Sequence, residues 1–309
     1  MRVLLAGATG TIGHPLIRLL HRSGHQVVGL TRDPRRARSL AQAGVEPLVA
    51  DALDRDGLLA ATRGRTVDAV VHEMTALRRP PARHGAMRRT NLLRTTGTRN
   101  LLEVAHETGA ARFVTQSIVF GYGYTDHGDD PRTESAPFGR LTSGRANPHV
   151  EAMAVNEDLV RTDTDVAGVA LRYGVFYGSA TDAIAPMLRA RKIPVPAGPG
   201  HPLPWIHVED AAAATVAALE LGARGAAYNI VDDEAASWRQ VFTAMAENLG
   251  APRPRTLPGW LIRIAAPYLA CMAIDTSMRV ANTAARRELD WTPRYPGYRE
   301  GARALRDRT

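Results

Sequence analysis

The run Leu5-Ala6-Gly7-Ala8-Thr9-Gly10-Thr11-Ile12-Gly13 carries three glycines at a spacing suited to holding a pyrophosphate. Gly7 permits a tight turn, Gly10 lets the backbone approach phosphate with no side chain between, and Gly13 allows the following helix to pack closely on the preceding strand. The motif follows an apolar β-type run and opens a helical pattern, so a dinucleotide is the expected ligand. After the second β-type run the chain reads Thr31-Arg32-Asp33-Pro34-Arg35-Arg36. An NAD-preferring site places an acid there for the ribose hydroxyls, whereas Arg32, with Arg36 nearby, suits a 2′-phosphate; NADP(H) is expected over NAD(H). Asp51, in Ala50-Asp51-Ala52-Leu53, can accept from the adenine amino group or cap the next helix. Thr9, Thr11, Ile12, Ala52, His72 and Val175 complete the expected cofactor contacts.

These residues need a scaffold, and the hydrophobic pattern supplies one. Short apolar runs at 3–6, 26–30, 45–49, 67–71, 112–115 and 166–171 alternate with helical patterns at 12–22, 34–43, 55–62, 85–107 and 149–161. Strands separated by helices predict parallel pairing through right-handed crossovers, hence an α/β, Rossmann-type doubly wound parallel sheet over residues 1–178. Between 121 and 148 Gly, Asp, Pro, Ser and Thr dominate without a periodic apolar face, which predicts a mobile loop over the site. Beyond 178 prolines punctuate the pattern, and a smaller α/β substrate lobe over 179–309, interleaved with the first, is expected. Its helices fall at 209–221 and 238–249, around a strand at 227–231.

Composition narrows the classes. The 309 residues are 45% hydrophobic and 23% charged, as in ordinary soluble domains. The net charge of +8 comes from basic residues scattered along the chain, not gathered into a stripe, so nucleic acid is not an expected partner. Cys271 is the lone cysteine and no leader-like segment opens the chain, which points to the cytoplasm. The most apolar window, 257–274, is interrupted by Gly259, Arg263 and Pro267 and reads as buried or pocket-lining helix, with no membrane partner. Of the 39 basic side chains only Lys192 is a lysine. Any mechanism that needs a lysine must use that one or do without.

The sequence resembles the extended short-chain dehydrogenase/reductase family along almost its whole length. The likeness rests on the Gly-rich turn, Val70-Val71-His72, Asn91 with Gly97-Thr98-Arg99-Asn100-Leu101-Leu102-Glu103, Trp205-Ile206-His207-Val208-Glu209-Asp210-Ala211, and Leu289-Asp290-Trp291-Thr292-Pro293 near the end. The resemblance implies a Ser or Thr after the fifth strand and a Tyr-x-x-x-Lys on the next helix, the lysine acidifying the tyrosine. This chain departs from that pattern. Ile118 takes the hydroxyl position with Ser117 one residue early, His149 takes the tyrosine position and Met153 the lysine position, and no tyrosine has a lysine four residues on. Loss of the dyad argues against epimerisation and dehydration, whereas hydride donation needs only an oriented substrate and some proton source. Three sources are open: His149 as general acid, a water held by Thr115 or Ser117, or an acidic hydroxyl on the substrate itself.

A reductase-like chain with this Ile, His and Met pattern is similar to the atypical tailoring ketoreductases of aromatic polyketide antibiotic pathways. The resemblance implies NADPH-dependent reduction of an angucyclinone-type carbonyl polarised by its own neighbouring phenol, with His149 assisting. Phe120, Tyr122, Tyr124, Phe176, Trp205, Trp260 and Tyr268 offer flat apolar surfaces, and Tyr122, Phe176, Trp205 and Trp260 are the expected contacts for an aromatic substrate. The rival reading is a non-catalytic NADP-binding redox sensor or scaffold. No hydrolase elbow or phosphate-loop lysine is present, His21 and His25 lack an acidic partner at ligand spacing so no metal is expected, and monomer and dimer fit equally.

Overall fold

A computed structural model of the chain describes residues 1–77, 80–141, 144–178 and 184–305. Seven strands form one parallel sheet: β1 (Arg2–Ala6), β2 (Gln26–Thr31), β3 (Glu46–Val49), β4 (Ala69–His72), β5 (Arg112–Ile118), β6 (Ala167–Tyr173) and a late strand, Ala227–Ile230. Their spatial order runs from the late strand through β6, β5, β4, β1 and β2 to β3. The order reverses between β1 and β4, which opens the crevice where ligands bind in such sheets.

The crossovers are α1 (Gly13–Arg22), α2 (Pro34–Gln42), α3 (Arg55–Thr62), α4 (Arg88–Leu92) with α5 (Thr98–Thr108), and α6 (Asn147–Arg161). Strand residues are apolar on both faces, so alternate side chains feed two cores: Val3, Leu5 and Val71 pack toward α1, while Leu4, Ala6 and Val70 pack toward α3 and α5. The single helix expected over 85–107 is present as one continuous helical run from His84 to Thr108, but of mixed pitch. A 3₁₀ turn at His84–Met87 precedes α4, and the five residues Leu93–Gly97 form a π-helical turn before α5. Such turns often mark functional sites.

After β6 the chain continues through β7 (Val175–Tyr177), α7 (Ile184–Arg189), β8 (Val195–Pro196), β9 (Trp205–His207), α8 (Val208–Leu221), β10 (Ala227–Ile230, the late strand), α9 (Trp238–Asn248), β11 (Thr256–Leu257), α10 (Gly259–Ala265), α11 (Pro267–Ala273), α12 (Thr283–Glu288) and α13 (Tyr298–Arg303). β7 pairs with β9 and β8 with β11, outside the main sheet. Meanwhile α8 and β10 return to that sheet, so the chain after residue 178 contributes to both bodies; residues 179–183, where the expected boundary falls, lie outside the described residues. The apolar window at 257–274 is two short helices meeting at Ala266 and Pro267, and among the described residues no helix is long and apolar enough to cross a membrane.

The loop expected over 121–148 is irregular, and its first half is anchored. His127 N donates to Ser277 O (2.8 Å), Arg132 N to Arg279 O (2.8 Å), and the Arg172 guanidinium lies 3.9 Å from the Phe138 ring centre. Arg172 itself is buried in an ion pair with Glu157 at 2.8 Å, which ties the loop to β6 and α6. Residues 142 and 143 of the expected loop lie outside the described residues.

Candidate active site

The dinucleotide end is built from the glycine turn. A Cβ on Gly7 would lie 2.6 Å from the Glu73 carbonyl oxygen and one on Gly13 would lie 2.4 Å from that of Ala8, so these two glycines serve close backbone packing. A Cβ on Gly10 would meet only the Gly7 carbonyl, at 3.1 Å, and otherwise open space. Helix α1 begins with no side-chain cap and no acid in its first turn; Gly13 N donates to Gly10 O (3.1 Å), Leu16 N to Ile12 O (3.0 Å) and Pro15 has no N–H, so the His14 N–H and the helix dipole are what the first turn offers an anion. Arg36 Nη1 donates to Thr9 Oγ1 at 3.0 Å, which clamps α2 onto the turn. Arg32 is exposed at the end of β2, while Asp33 is committed as N-cap of α2 and bidentate partner of Arg35. These residues fit a dinucleotide carrying a 2′-phosphate: the turn and the α1 terminus would hold its pyrophosphate, and Arg32 with Arg36 the extra phosphate. Accordingly, NADPH is expected to bind more tightly than NADH, and Arg32→Ala to narrow the difference by about tenfold or more. Equal affinities of the unmodified protein for the two cofactors, measured by calorimetry, would contradict this.

Other expected cofactor contacts lie nearby with their polar atoms engaged. Asp51 accepts from Leu53 N (3.1 Å) and from Arg89 Nη2 (2.8 Å), and the cap of α3 is Asp54 instead. Ala52 is buried and its carbonyl accepts from Asn100 Nδ2 at 2.8 Å. His72 is fully buried, donating from Nε2 to Leu93 O (3.1 Å) and accepting at Nδ1 from Met74 N (3.2 Å), so its ring pins β4 to the π turn and is not free for cofactor. Val175 N is bonded to Pro204 O, 2.9 Å away.

At the C-terminal ends of β4 and β5 the expected proton sources separate. Thr115 Oγ1 donates to Asn156 Oδ1 (2.9 Å), which also accepts from Thr98 Oγ1 (2.8 Å); this buried knot joins β5, α5 and α6 and takes Thr115 out of proton transfer. Ser117 Oγ is buried with no partner among the described residues. His149 is buried in a chain of contacts. Asn91 Nδ2 donates both to Pro148 O (3.1 Å) and to His149 Nδ1 (3.0 Å). The carbonyl can only accept, which fixes the Asn91 amide and puts the imidazole proton on Nε2, 3.0 Å from His84 Nδ1. Tyr268 stands edge-on to both rings, 5.2 Å from His149 and 5.3 Å from His84, and its hydroxyl meets that of Tyr124 at 2.8 Å.

Burial, reinforced by His84 and Arg94, holds the His149 pKa down at about 4 against an ordinary 6.5. The imidazolium expected as general acid is therefore scarce at neutral pH. Tyr124 and Tyr268 are both pushed above the ordinary tyrosine value by burial, so neither is acidified. His149→Phe keeps the ring contacts and is expected to lower turnover by less than about tenfold, with no step near pH 6.5 in the wild-type profile. A loss of about a hundredfold or more would make His149 the acid.

The expected aromatic contacts fare differently. Tyr122 is core, not pocket: its hydroxyl donates to Asn229 Oδ1 (2.8 Å) and accepts from Arg172 Nη1 (2.9 Å). Trp205 is 1% exposed, donates to Ala236 O, and packs among Tyr177, Trp238 and Phe242. Trp260, at 63% exposed, stands on the outer face of α10. Phe176 is half-buried against Tyr173. The rings against His149 are His84 and Tyr268, and Tyr268 in turn meets Tyr124, which stacks on Phe120 at 5.0 Å. Sequence reasoning passed over His84, Arg94 and Glu73; two of them stand beside the Asn91 and His72 motifs, and their types were the available signal. Among the described residues the one group spaced for a metal is His106, Asp163 and Asp165; Asp163 there accepts from His106 at 3.0 Å and from the Val166 amide at 2.8 Å.

The glycine turn, the switch-point crevice and the β5–α6 pair define a nucleotide-dependent oxidoreductase of the extended short-chain dehydrogenase/reductase type. The profile of the NAD-dependent epimerase/dehydratase family matches residues 3–231, and the chain belongs to that family. It is 40% identical, over 97% of its length and 99% of the relative's, to a 3-diazoavenalumate denitrifying reductase of a Streptomyces species. It is 27% identical to a 2-alkyl-3-oxoalkanoate reductase of Stenotrophomonas maltophilia strain K279a, over 82% of this chain and 77% of the other. In fold it is similar to a human epimerase family protein solved with NADPH, at a TM-score of 0.80 and 20% identity over the full length of both chains.

Proposed function

We propose that this chain is an NADPH-dependent reductase that delivers hydride to an electrophilic aromatic substrate whose reduction needs no acidified tyrosine. The observation that carries the reading is the neutral, hydrogen-bonded His149 at the place where the family's tyrosine would stand, with Met153 buried one turn on. Bound NADPH supplies the hydride. The chain's part is to orient substrate between the β5 end and the Tyr124–Tyr268 pair and to keep water away.

A diazo arene suits such a site. Its diazonium carbon accepts hydride and forms a C–H bond while the C–N bond breaks, the electron pair leaving on dinitrogen; no proton has to be delivered. The denitrifying reductase at 40% identity supports this reading. A second substrate class is favoured by the unpartnered Ser117 hydroxyl. It is a phenol-flanked carbonyl of an angucyclinone-type aromatic polyketide, polarised by its internal hydrogen bond, with the phenol or a water on Ser117 returning the proton to the alkoxide.

The test supplies NADPH with a hydroxyaryl diazo acid and, separately, with a phenol-flanked aromatic ketone. Loss of NADPH absorbance with release of dinitrogen is the expected result. Consumption with the ketone alone would assign carbonyl reduction. Consumption with neither would leave a non-catalytic NADP-binding sensor or scaffold.

A further inference from the structure

Arg94 is 4% exposed, yet its Nε and Nη1 are buried without any acceptor, and it takes part in none of the ion pairs among the described residues. Guanidinium does not shed its proton in proteins, so this is a buried charge left uncompensated, an arrangement that costs several kcal/mol and persists where something else repays it. Ser117 Oγ, 1% exposed, is a second buried polar atom without a partner.

The two lie in one layer of the fold. Thr98, Thr115 and Asn156 meet at a common level through their hydrogen bonds. Ser117 is two residues on along β5, on the same face as Thr115 and about 6.6 Å nearer the strand's C-terminal end. Arg94 is one turn before Thr98, whose hydroxyl oxygen lies 2.8 Å from the Arg94 carbonyl oxygen; helix and strand run oppositely in such crossovers, so that turn moves about 6 Å toward the same end. A helical side chain leans toward its helix N-terminus, which aims the guanidinium further that way. His149 lies two turns before Asn156 on α6, beyond this layer, and the charge of Arg94 acts on His149, Tyr124 and Tyr268 alike. No acidic side chain figures among the groups acting on Arg94.

We infer that Arg94, with Ser117 beside it, is an anion subsite that takes the carboxylate of an aromatic acid and thereby points the ring toward the hydride donor. The inference rests on the reductase reading above and names its substrate class. The carboxylate would receive charge-assisted hydrogen bonds along one edge of the guanidinium and one from the Ser117 hydroxyl, giving both buried orphan side chains a partner. Arg94 lies within the π turn at Leu93–Gly97 and is one of its buried residues.

The experiment measures binding of 4-hydroxycinnamate and of its methyl ester to the protein loaded with NADP⁺, by calorimetry, alongside melting temperature. The acid is expected to bind about tenfold to a hundredfold more tightly than the ester, the range for hydrogen bonds to a charged group. In Arg94→Met the preference disappears and the melting temperature holds or rises, because an uncompensated charge has been removed; Arg94→Lys keeps part of the preference at unchanged fold. Equal affinities for acid and ester in the unmodified protein, absence of acid binding, or a preference that survives intact in folded Arg94→Met would each overturn the inference. Binding and turnover fail separately: acid preference without reduction of any diazo acid or ketone leaves the subsite standing and removes the reductase reading.

Discussion

Replacing Glu73 by Gln is expected to stabilise the protein by about 2–5 kcal/mol near pH 8 and to change little near pH 4. The carboxyl is 5% exposed, Tyr173 donates to its Oε1 at 2.8 Å, and Oε2 is buried without a partner. Burial pushes its pKa from 4.5 up to about 8, and the Tyr173 hydrogen bond offsets only part of that. Between those values the unfolded chain has released a proton that the folded protein still holds. Stability contributed by this group is therefore complete below pH 4.5, falls as pH rises, and levels off above about 8. Glutamine preserves the acceptor for Tyr173 and cannot ionise, so the decline disappears. Asp210 and Asp232, also raised by burial, remain in the variant, so the difference between the two proteins is the readout and not the slope of either. Urea denaturation at intervals of pH measures it. A difference that stayed constant or shrank as pH rose would sink the argument. The neutral carboxyl also matters for function: the Glu73 backbone packs against Gly7, so an ionised side chain there would place negative charge beside the phosphate-binding turn.

Gly10→Val is expected to weaken NADPH binding by more than about a hundredfold while leaving the unliganded protein folded. Two isopropyl methyls would project from a position whose Cβ meets one carbonyl and open space, into the volume a pyrophosphate needs. Because ligand binding stabilises the folded state as the logarithm of one plus the ratio of free ligand to Kd, the wild type should gain about 2.7 kcal/mol at a hundredfold excess of NADPH over its Kd, and the variant almost nothing. Gly13→Ala is the contrast: its Cβ would collide with the Ala8 carbonyl at 2.4 Å, so it should lower the melting temperature with or without cofactor. Thermal melts of the three proteins with and without NADPH decide the matter. A Gly10→Val protein that still gains stability from NADPH would mean that the phosphates pass elsewhere.

The nucleotide end was legible because it depends on local backbone. Three glycines in one turn, an arginine at the end of a strand and a helix start follow from residues within a few positions of each other, and alternating apolar runs specify a parallel sheet whatever the far side chains do. The helix over 85–107 was legible from its continuous apolar pattern, but its pitch was not. The π turn within it comes with packing against α6 and the His72–Leu93 hydrogen bond, both contacts between distant segments.

By itself the sequence determined the fold class, the dinucleotide turn, and the lone lysine at position 192. Tertiary structure alone decided the chemistry of the other end. His149 is an ordinary imidazole in sequence and a poor acid in the fold, because His84, Asn91 and Tyr268, from distant segments, enclose it. Tyr122 and Trp205 read as a possible substrate face and prove to be core, since a ring's partners are set by elements far along the chain. Arg94 was one arginine among 38 until packing removed it from water without giving it a partner. Burial and pairing arise only when remote elements meet, and a linear pattern carries neither.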